Sequence, residues 1–422
     1  MTGAWRLLYT TLLTLVTPLA LLRLAWRARR QPAYLRHVGE RFGSYPPAPS
    51  VRPIWLHCVS VGETRAAEPL IAALRAAYPE YPILLTHTTP TGRELSEQLF
   101  GDRVARCYLP YDLPFAVRRF LRHYRPLAGL LMETELWPNL IGACRAHGVP
   151  ALLVNARLSE RSARRYARLA ALTASTLRQL TAIGAQASAD ADRLRALGAV
   201  QVEVTGNLKF DRAPTTADMQ HGEALRALFP SRSVFLAAST RDGEEALVLQ
   251  AVRGAPDILL TVIVPRHPQR FDDVARLLER EGVAYQRRST GEAVAASTRV
   301  LLGDSMGELF AYYAACDVAF IGGSLLPLGG QNLLEACAVG KPVLIGPHTF
   351  NFQQASAVAI EVGAALRVHE VEDLRRALMQ LLDDAGLRAS MGEAGLALMR
   401  AHHGATQRTL ALVQRTVLSA KA

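Results

Sequence analysis

Short apolar runs alternate with amphipathic stretches along most of the 422 residues. The runs Ile54–Ser60, Ile83–Thr89, Arg103–Leu109, Leu127–Glu133, Ala151–Asn155, Ala182–Ala185 and Val202–Gly206 read as strands. They are continuous rather than alternating, as expected of strands covered on both faces. Helices fit between several of them, for example over Ala66–Tyr78, Arg93–Phe100 and Phe115–His123. The rhythm breaks at 211–218, which holds Pro and paired Thr and reads as a linker. It resumes with Val234–Ser239, Leu259–Pro265, Val283–Arg287, Val300–Asp304, Val318–Gly322 and Pro342–Gly346, and a helical stretch, Asp373 to His402, closes it. Repeated βαβ units predict parallel sheets with helices on both faces, here as two doubly wound α/β domains in tandem.

The first thirty residues obey another rule. Leu7 to Leu22 is apolar apart from threonines and Pro18, with Arg6 before it and Arg23, Arg27, Arg29 and Arg30 after it. Sixteen helical residues reach only ~24 Å, short of a ~30 Å hydrocarbon core. The segment is expected to be a short tilted anchor or a helix lying in the membrane interface. The arginines place the adjoining domain on the cytoplasmic side. The expected division is 1–30 as anchor or interfacial helix, 31–210 as the first domain, 211–218 as linker and 219–422 as the second domain with closing helices.

Charge and cysteines narrow the classes. Lys plus Arg total 48 against 37 Asp plus Glu, a formal net charge of +11. That excess suits an anionic partner, but basic residues are dispersed, without the spacing of a nucleic-acid-binding motif. The five cysteines, 58, 107, 144, 316 and 337, form no CxxC pair and sit in apolar stretches, as buried thiols of a reducing compartment do. No Cys/His spacing supports a metal site. Asp190-Ala191-Asp192 is shaped like a cation-binding DxD, yet it opens a helix, where acids offset the dipole.

Ligands of open parallel sheets bind at the carboxyl ends of strands, and polar residues collect there. Gly62 and Glu63 come after the first strand; Thr88 and Thr89 after the second; Glu133, Glu135 and Trp137 after the fourth; Asn155 and Arg157 after the fifth; Gly206, Asn207 and Lys209 after the seventh. In the second half the same positions carry Ser239–Arg241, Arg266-His267, Gly303–Glu308 and Gly322–Ser324. If those ends face each other they line one cleft. The stretch Phe320 to Pro347 carries Gly322-Gly323 and Gly329-Gly330 before a helix expected to start near Gln331 or Asn332, with Glu335 in its first turn. Such a helix start favours phosphate, and a carboxylate there can accept ribose hydroxyls. The loop is neither GxGxxG nor a P-loop, and turn structure without a ligand remains a second reading. For Glu63, helix capping is the competing reading.

Seven motifs in order, SVGET, METELWPN, NARLSERS, GNLKFD, VPRHPQRF, GDSMGEL and GGQNLLEACAVGKPVLIGP, resemble those of the 3-deoxy-D-manno-octulosonic acid (Kdo) transferases, and the likeness covers nearly the whole chain. The resemblance implies the GT-B glycosyltransferase fold: two Rossmann-like domains facing a central cleft, with an N-terminal membrane-anchor helix. It implies a bacterial enzyme on the cytoplasmic face of the inner membrane. Such an enzyme moves Kdo from CMP-Kdo to a phosphorylated lipid A precursor, lipid IVA, with inversion. It implies Glu63 as general base, Glu133 and Lys209 as transition-state support, and Pro265, Arg266, Met306, Gly307, Glu308, Asn332, Leu333, Leu334 and Glu335 as donor-binding residues. Ser60, Gly62 and Thr89 are candidates for the acceptor side. The expected partners are CMP-Kdo, the phosphorylated lipid and an anionic membrane surface, with no nucleic acid, cofactor or metal. The chain departs from the family pattern at Gln331 and Arg241, where His is common, and at Leu333 and Ala336, where Pro is. The alternatives are a GT-B transferase with a UDP-sugar donor and lipid-linked acceptor, a sugar-nucleotide epimerase, and a non-catalytic binding protein on the same scaffold.

Overall fold

The computed structural model describes residues 2–29, 31–47, 49–229 and 231–418; Arg30 of the predicted basic cluster and residues 419–422 of the expected second domain lie outside them. The chain divides into two compact units, 2–211 together with 404–418, and 212–403.

The first unit holds β1 (Ile54–His57), β2 (Ile83–His87), β3 (Ala105–Tyr108), β4 (Ala128–Met132), β5 (Ala151–Ala156), β6 (Ala182–Ala185) and β7 (Val202–Val204). All pair in parallel, in the order β3-β2-β1-β4-β5-β6-β7. Period-2 alternation divides each strand between two helical layers. Ile54 and Leu56 of β1 enter one core with Leu70, Ile71 and Leu74 of helix Glu68–Ala77. Trp55 enters the other core with Phe120 and Ile141. This double burial explains the unbroken apolar runs of the sequence.

The second unit repeats the plan with β8 (Ser233–Thr240), β9 (Leu259–Pro265), β10 (Tyr285–Arg287), β11 (Val300–Leu302), β12 (Val318–Ile321), β13 (Val343–Ile345) and β14 (Ala365–Arg367), ordered β10-β11-β9-β8-β12-β13-β14. Thirteen of the fourteen strands coincide with predicted runs. Edge strand β14 is the one that no predicted run covers.

Three expectations are corrected. The linker is shorter than 211–218, because Thr215 and Asp218 form a reciprocal capping box that starts helix Thr216–Ala227. The paired threonines and the acid were a helix start. The second domain does not run to the end of the described chain: helix Ala405–Leu418 packs in the first unit, with Leu410, Leu412, Val413 and Val417 in the core beneath Ile54 and Leu56. The N-terminal helix spans Thr2–Ala28, longer than its apolar run. Over Gly3–Ala28 it is apolar and long enough to cross a membrane by length and composition, and little of it is buried.

Each sheet reverses winding direction once, between β1 and β4 in the first and between β8 and β12 in the second. These switch points leave a crevice at the carboxyl ends of the flanking strands. Leu412→Ala removes a side chain that is 3% exposed in the first unit's core. It is expected to lower stability by about 2–5 kcal/mol in urea unfolding; an unchanged midpoint would exclude this helix from that core.

Candidate active site

The turn after β1 puts Glu63 at the switch point of the first sheet. Ser60 has extended backbone and caps helix Val61–Ala66. Its hydroxyl donates to Glu63 Oε1 at 2.9 Å, and the Val59 N–H donates to Oε2 at 2.8 Å. The capping reading of Glu63 is therefore right in geometry, and the cap fixes the carboxylate in place. Elements on the β2 side clamp the rest of the turn. The Cys58 N–H donates to the Thr86 carbonyl. His87 Nδ1 lies 3.0 Å from the Cys58 carbonyl, so it carries the proton and donates. The Thr88 and Thr89 hydroxyls both donate to the Val59 carbonyl. Thr89 also caps helix Pro90–Phe100. Burial keeps His87 and neighbouring His57 neutral, lowering them to about 4 and about 3.

Across the switch point, Glu133 follows the last residue of β4. Its φ of 57° is left-handed, as is the 52° of Asn155 at the end of β5. Such backbone is costly for residues other than glycine and concentrates at functional sites. Glu133 Oε1 lies 3.3 Å from Lys209 Nζ. Asn155 brings that lysine in: its Oδ1 accepts from the Leu208 N–H, and its carbonyl accepts from Gln186. Glu135, two residues on, accepts from the Trp137 indole N–H at 2.9 Å. Glu63, Glu133 and Lys209, far apart in sequence, thus gather at one sheet edge. Gly62 lies beside them in the first turn of the Glu63 helix.

Burial, then the negative charge of Glu133, pushes the Glu63 carboxyl from 4.5 up to about 8; the bonds from Val59 and Ser60 pull the other way and lose. A carboxyl so tuned exchanges a proton near neutrality.

The second switch point is built differently from the expectation. Gly322 succeeds β12 where an added Cβ would lie 2.5 Å from the Ser239 carbonyl oxygen, and Gly323 has a φ of 70°. The loop N–H groups do not point outward. Those of Gly323, Ser324 and Leu325, with that of Arg241, donate to the buried carboxylate of Glu244. An internal carboxyl group occupies the nest that the glycines suggested for a ligand. The helix expected near Gln331 begins at Leu334 and ends at Ala338, and the Leu334 N–H is taken by Asn332 Oδ1 at 3.2 Å. Leu333 and Leu334 are buried.

Beside this loop, Pro265 ends β9 and Arg266 comes next, its Nε donating to Gln331 Oε1 at 3.2 Å. Gln331, where the family commonly has His, thus supplies an acceptor for Arg266. Glu335 is buried and paired with Arg212, and Asn332 Nδ2 donates to it at 3.2 Å. Met306 is exposed, and Gly307 has a φ of 85°. Glu308 is held by His221 at 3.0 Å, by Arg288 at 3.4 Å and by the Ser305 hydroxyl. Glu244, His221, Arg288 and Arg212 were missed by sequence reasoning. Of these only Glu244 carried a signal, as the first of two acids, Glu244-Glu245, at a helix start. Asp190 is structural: it accepts from the Leu158 N–H at 2.8 Å. Among the described residues no group of three or more His, Cys, Asp or Glu is disposed to hold a metal ion.

Two Rossmann-like units, the first with a tuned carboxyl and a lysine at its switch point, define a glycosyltransferase-type α/β protein. Residues 36–212 match the family described as 3-Deoxy-D-manno-octulosonic-acid transferase (kdotransferase), and residues 284–397 match Glycosyl transferases group 1. The chain is 46% identical to the 3-deoxy-D-manno-octulosonic acid transferase of Bordetella pertussis, covering 95% of this chain and 97% of that one. It is 40% identical to that of Haemophilus influenzae, covering 97% and 98%. A solved glycosyltransferase from Rickettsia africae superposes with a TM-score of 0.57 at 11% identity, covering 87% of this chain and 99% of that one, which shows the shared fold. The chain belongs to the 3-deoxy-D-manno-octulosonic acid transferase family and is a glycosyltransferase.

The raised Glu63 pKa carries a stability signature. The folded protein holds this proton above the pH at which the unfolded chain releases it, so stability falls as pH rises from about 4.5 to about 8. Glu63→Gln is expected to remove that fall. Its urea midpoint relative to the parent should rise between pH 5 and pH 8.5; a constant difference would mean that Glu63 titrates normally.

Proposed function

We propose that this enzyme transfers Kdo from CMP-Kdo to a phosphorylated lipid A precursor, lipid IVA, with inversion, at the cytoplasmic face of a bacterial inner membrane. The observation that carries the reading is Glu63: a carboxyl clamped on a rigid strand-to-helix turn and tuned to about 8, in a chain of this family. Glu63 accepts the proton of an acceptor hydroxyl as its oxygen attacks the anomeric carbon of Kdo. The bond to the CMP phosphate oxygen breaks on the opposite face, and the electron pair leaves with CMP. Lys209, oriented by Glu133, supplies positive charge to the developing anion.

The donor belongs to the second unit in this reading. Arg266 meets the phosphate, Glu335 the ribose hydroxyls, and the Met306-Gly307-Glu308 turn the base. Pro265 and Asn332–Leu334 shape the surrounding backbone. Ser60, Gly62 and Thr89 frame the acceptor side, where Ser60 and Thr89 act by holding the Glu63 turn. CMP-Kdo is a substrate, and the reaction as proposed calls on no metal. An epimerase or a UDP-sugar enzyme would share the fold, but membership of the Kdo transferase family favours this donor.

Glu63→Gln should lower kcat by roughly 10²–10⁴-fold, the usual range for a general base. The parent's kcat/KM should rise with pH up to about 8. Near-normal turnover, or an unaltered pH profile in the variant, would remove Glu63 from this role. Arg266→Ala should raise the KM for CMP-Kdo by about 10–100-fold, as loss of a charge-assisted hydrogen bond does. The acceptor KM should stay put; equal effects on both substrates would refute the donor assignment.

A further inference from the structure

Helix Thr2–Ala28 has two dissimilar faces. Trp5, Leu8, Leu12, Leu15, Leu19, Leu22 and Trp26 recur at alternating intervals of three and four and are all 43% or more exposed. At 100° per residue they fall within an arc of about 100°, and they run for about 32 Å along the axis. The opposite face is fastened to the first unit near its amino end. Arg6 Nε donates to Asn139 Oδ1 at 3.0 Å, the Tyr9 hydroxyl donates to Asp112 Oδ2 at 3.0 Å, and Thr10 exchanges hydrogen bonds with the Asn139 amide. Asp112 in turn accepts from the Asn139 and Leu140 N–H groups, so the helix is clasped to a buried node of the domain. At the carboxyl end the chain enters the same unit within twelve residues, where buried Glu40 accepts from Arg93 and from the Tyr108 N–H.

The amino end of the helix is thus bonded to the same unit into which its carboxyl end leads. A helix crossing a bilayer would carry residues 6–10 about 30 Å from its carboxyl end into the far leaflet, which the Asp112 and Asn139 bonds forbid. We propose that the helix is an in-plane element: it stays docked on the first unit and sinks its outer stripe into the interface of an anionic bilayer. Three observations select that occupant. Trp5 and Trp26 stand at the two ends of the stripe, and indoles favour the interface. Exposed Arg23, Arg27 and Arg29 lie beside it, and Arg161, Arg165 and Arg168 share one face of a neighbouring helical segment, which gives charge complementarity to anionic headgroups. The hydroxyls of Thr10, Thr14 and Thr17 are satisfied by carbonyls four residues back, so they tolerate an apolar medium.

The inference rests on the membrane location proposed for the enzyme, and its test separates the two. Full-length protein carrying Gly3→Cys is made in bacteria, and sealed inverted inner-membrane vesicles are treated with an impermeant maleimide. The five native cysteines are buried and give little background. Gly3→Cys should label as fully as the reference Val200→Cys, whose site is 74% exposed. A Gly3→Cys that labels only after lysis would overturn the in-plane arrangement. In a second arm, Leu12→Glu with Leu19→Glu should weaken binding to phosphatidylglycerol–phosphatidylcholine vesicles at least about 100-fold, from the loss of two leucines that the lipid would cover. Its kcat on detergent-dispersed acceptor should stay within about twofold of the parent. Unchanged vesicle binding would refute the stripe as the contact. A dimer that the two glutamates dissociate, with no vesicle binding by either protein, would assign the stripe to a second copy instead. None of these outcomes bears on whether Glu63 is the base.

Discussion

Glu63 must be buried enough to hold a proton near neutrality and polar enough to stay attached to its turn, and the local architecture serves those two demands. Desolvation and Glu133 raise the carboxyl; two hydrogen bonds from its own turn restrain the rise and fix both oxygens. The restraint works because residues 58 and 59 are themselves held by Thr86 and His87 of the adjacent strand and by Thr88 and Thr89 just after it. A side chain on a mobile loop would escape to solvent and return to an ordinary carboxylate. Sheet order, strand length and helix capping all converge on keeping that escape closed.

The second sheet solves a related problem with the opposite sign of charge in view. Glu244 sits under the glycine loop and satisfies N–H groups that would otherwise be stranded in the crevice. Burial raises its carboxyl and four backbone donors pull it back. The loop is thereby held from within, and the neighbouring Arg266 is oriented by Gln331. The amide at position 331 is suited to this task, since a protonated imidazole could not accept the guanidinium hydrogen bond.

The sequence announced what depends on runs and spacing. Strands buried on both faces leave continuous apolar segments, so the sheets were legible, and polar residues after them marked the edge of the candidate site. Glu63, Glu133 and Lys209 could be named from their place at strand ends and from motif likeness. The features that stayed hidden depend on partners distant in sequence. Nothing near Asn155 announces that it ties down the lysine loop, and nothing near Glu244 says that it will fill a nest eighty residues on. The Thr215–Asp218 box looked like a linker because Pro214 precedes it. The helix at 405–418 has an apolar face in either unit's company, and only the packing beneath β1 assigns it.

That last helix makes the first unit discontinuous in the chain: its core is closed by residues that come after the whole of the second unit. During synthesis the first seven strands emerge well before their final cover. The nascent amino-terminal half therefore waits with Ile54, Leu56 and Leu70 incompletely shielded while nearly two hundred further residues leave the ribosome. Assembly of the part that carries Glu63 is thus coupled in time to completion of the other part, and a prematurely terminated chain would present an open hydrophobic face to chaperones and proteases.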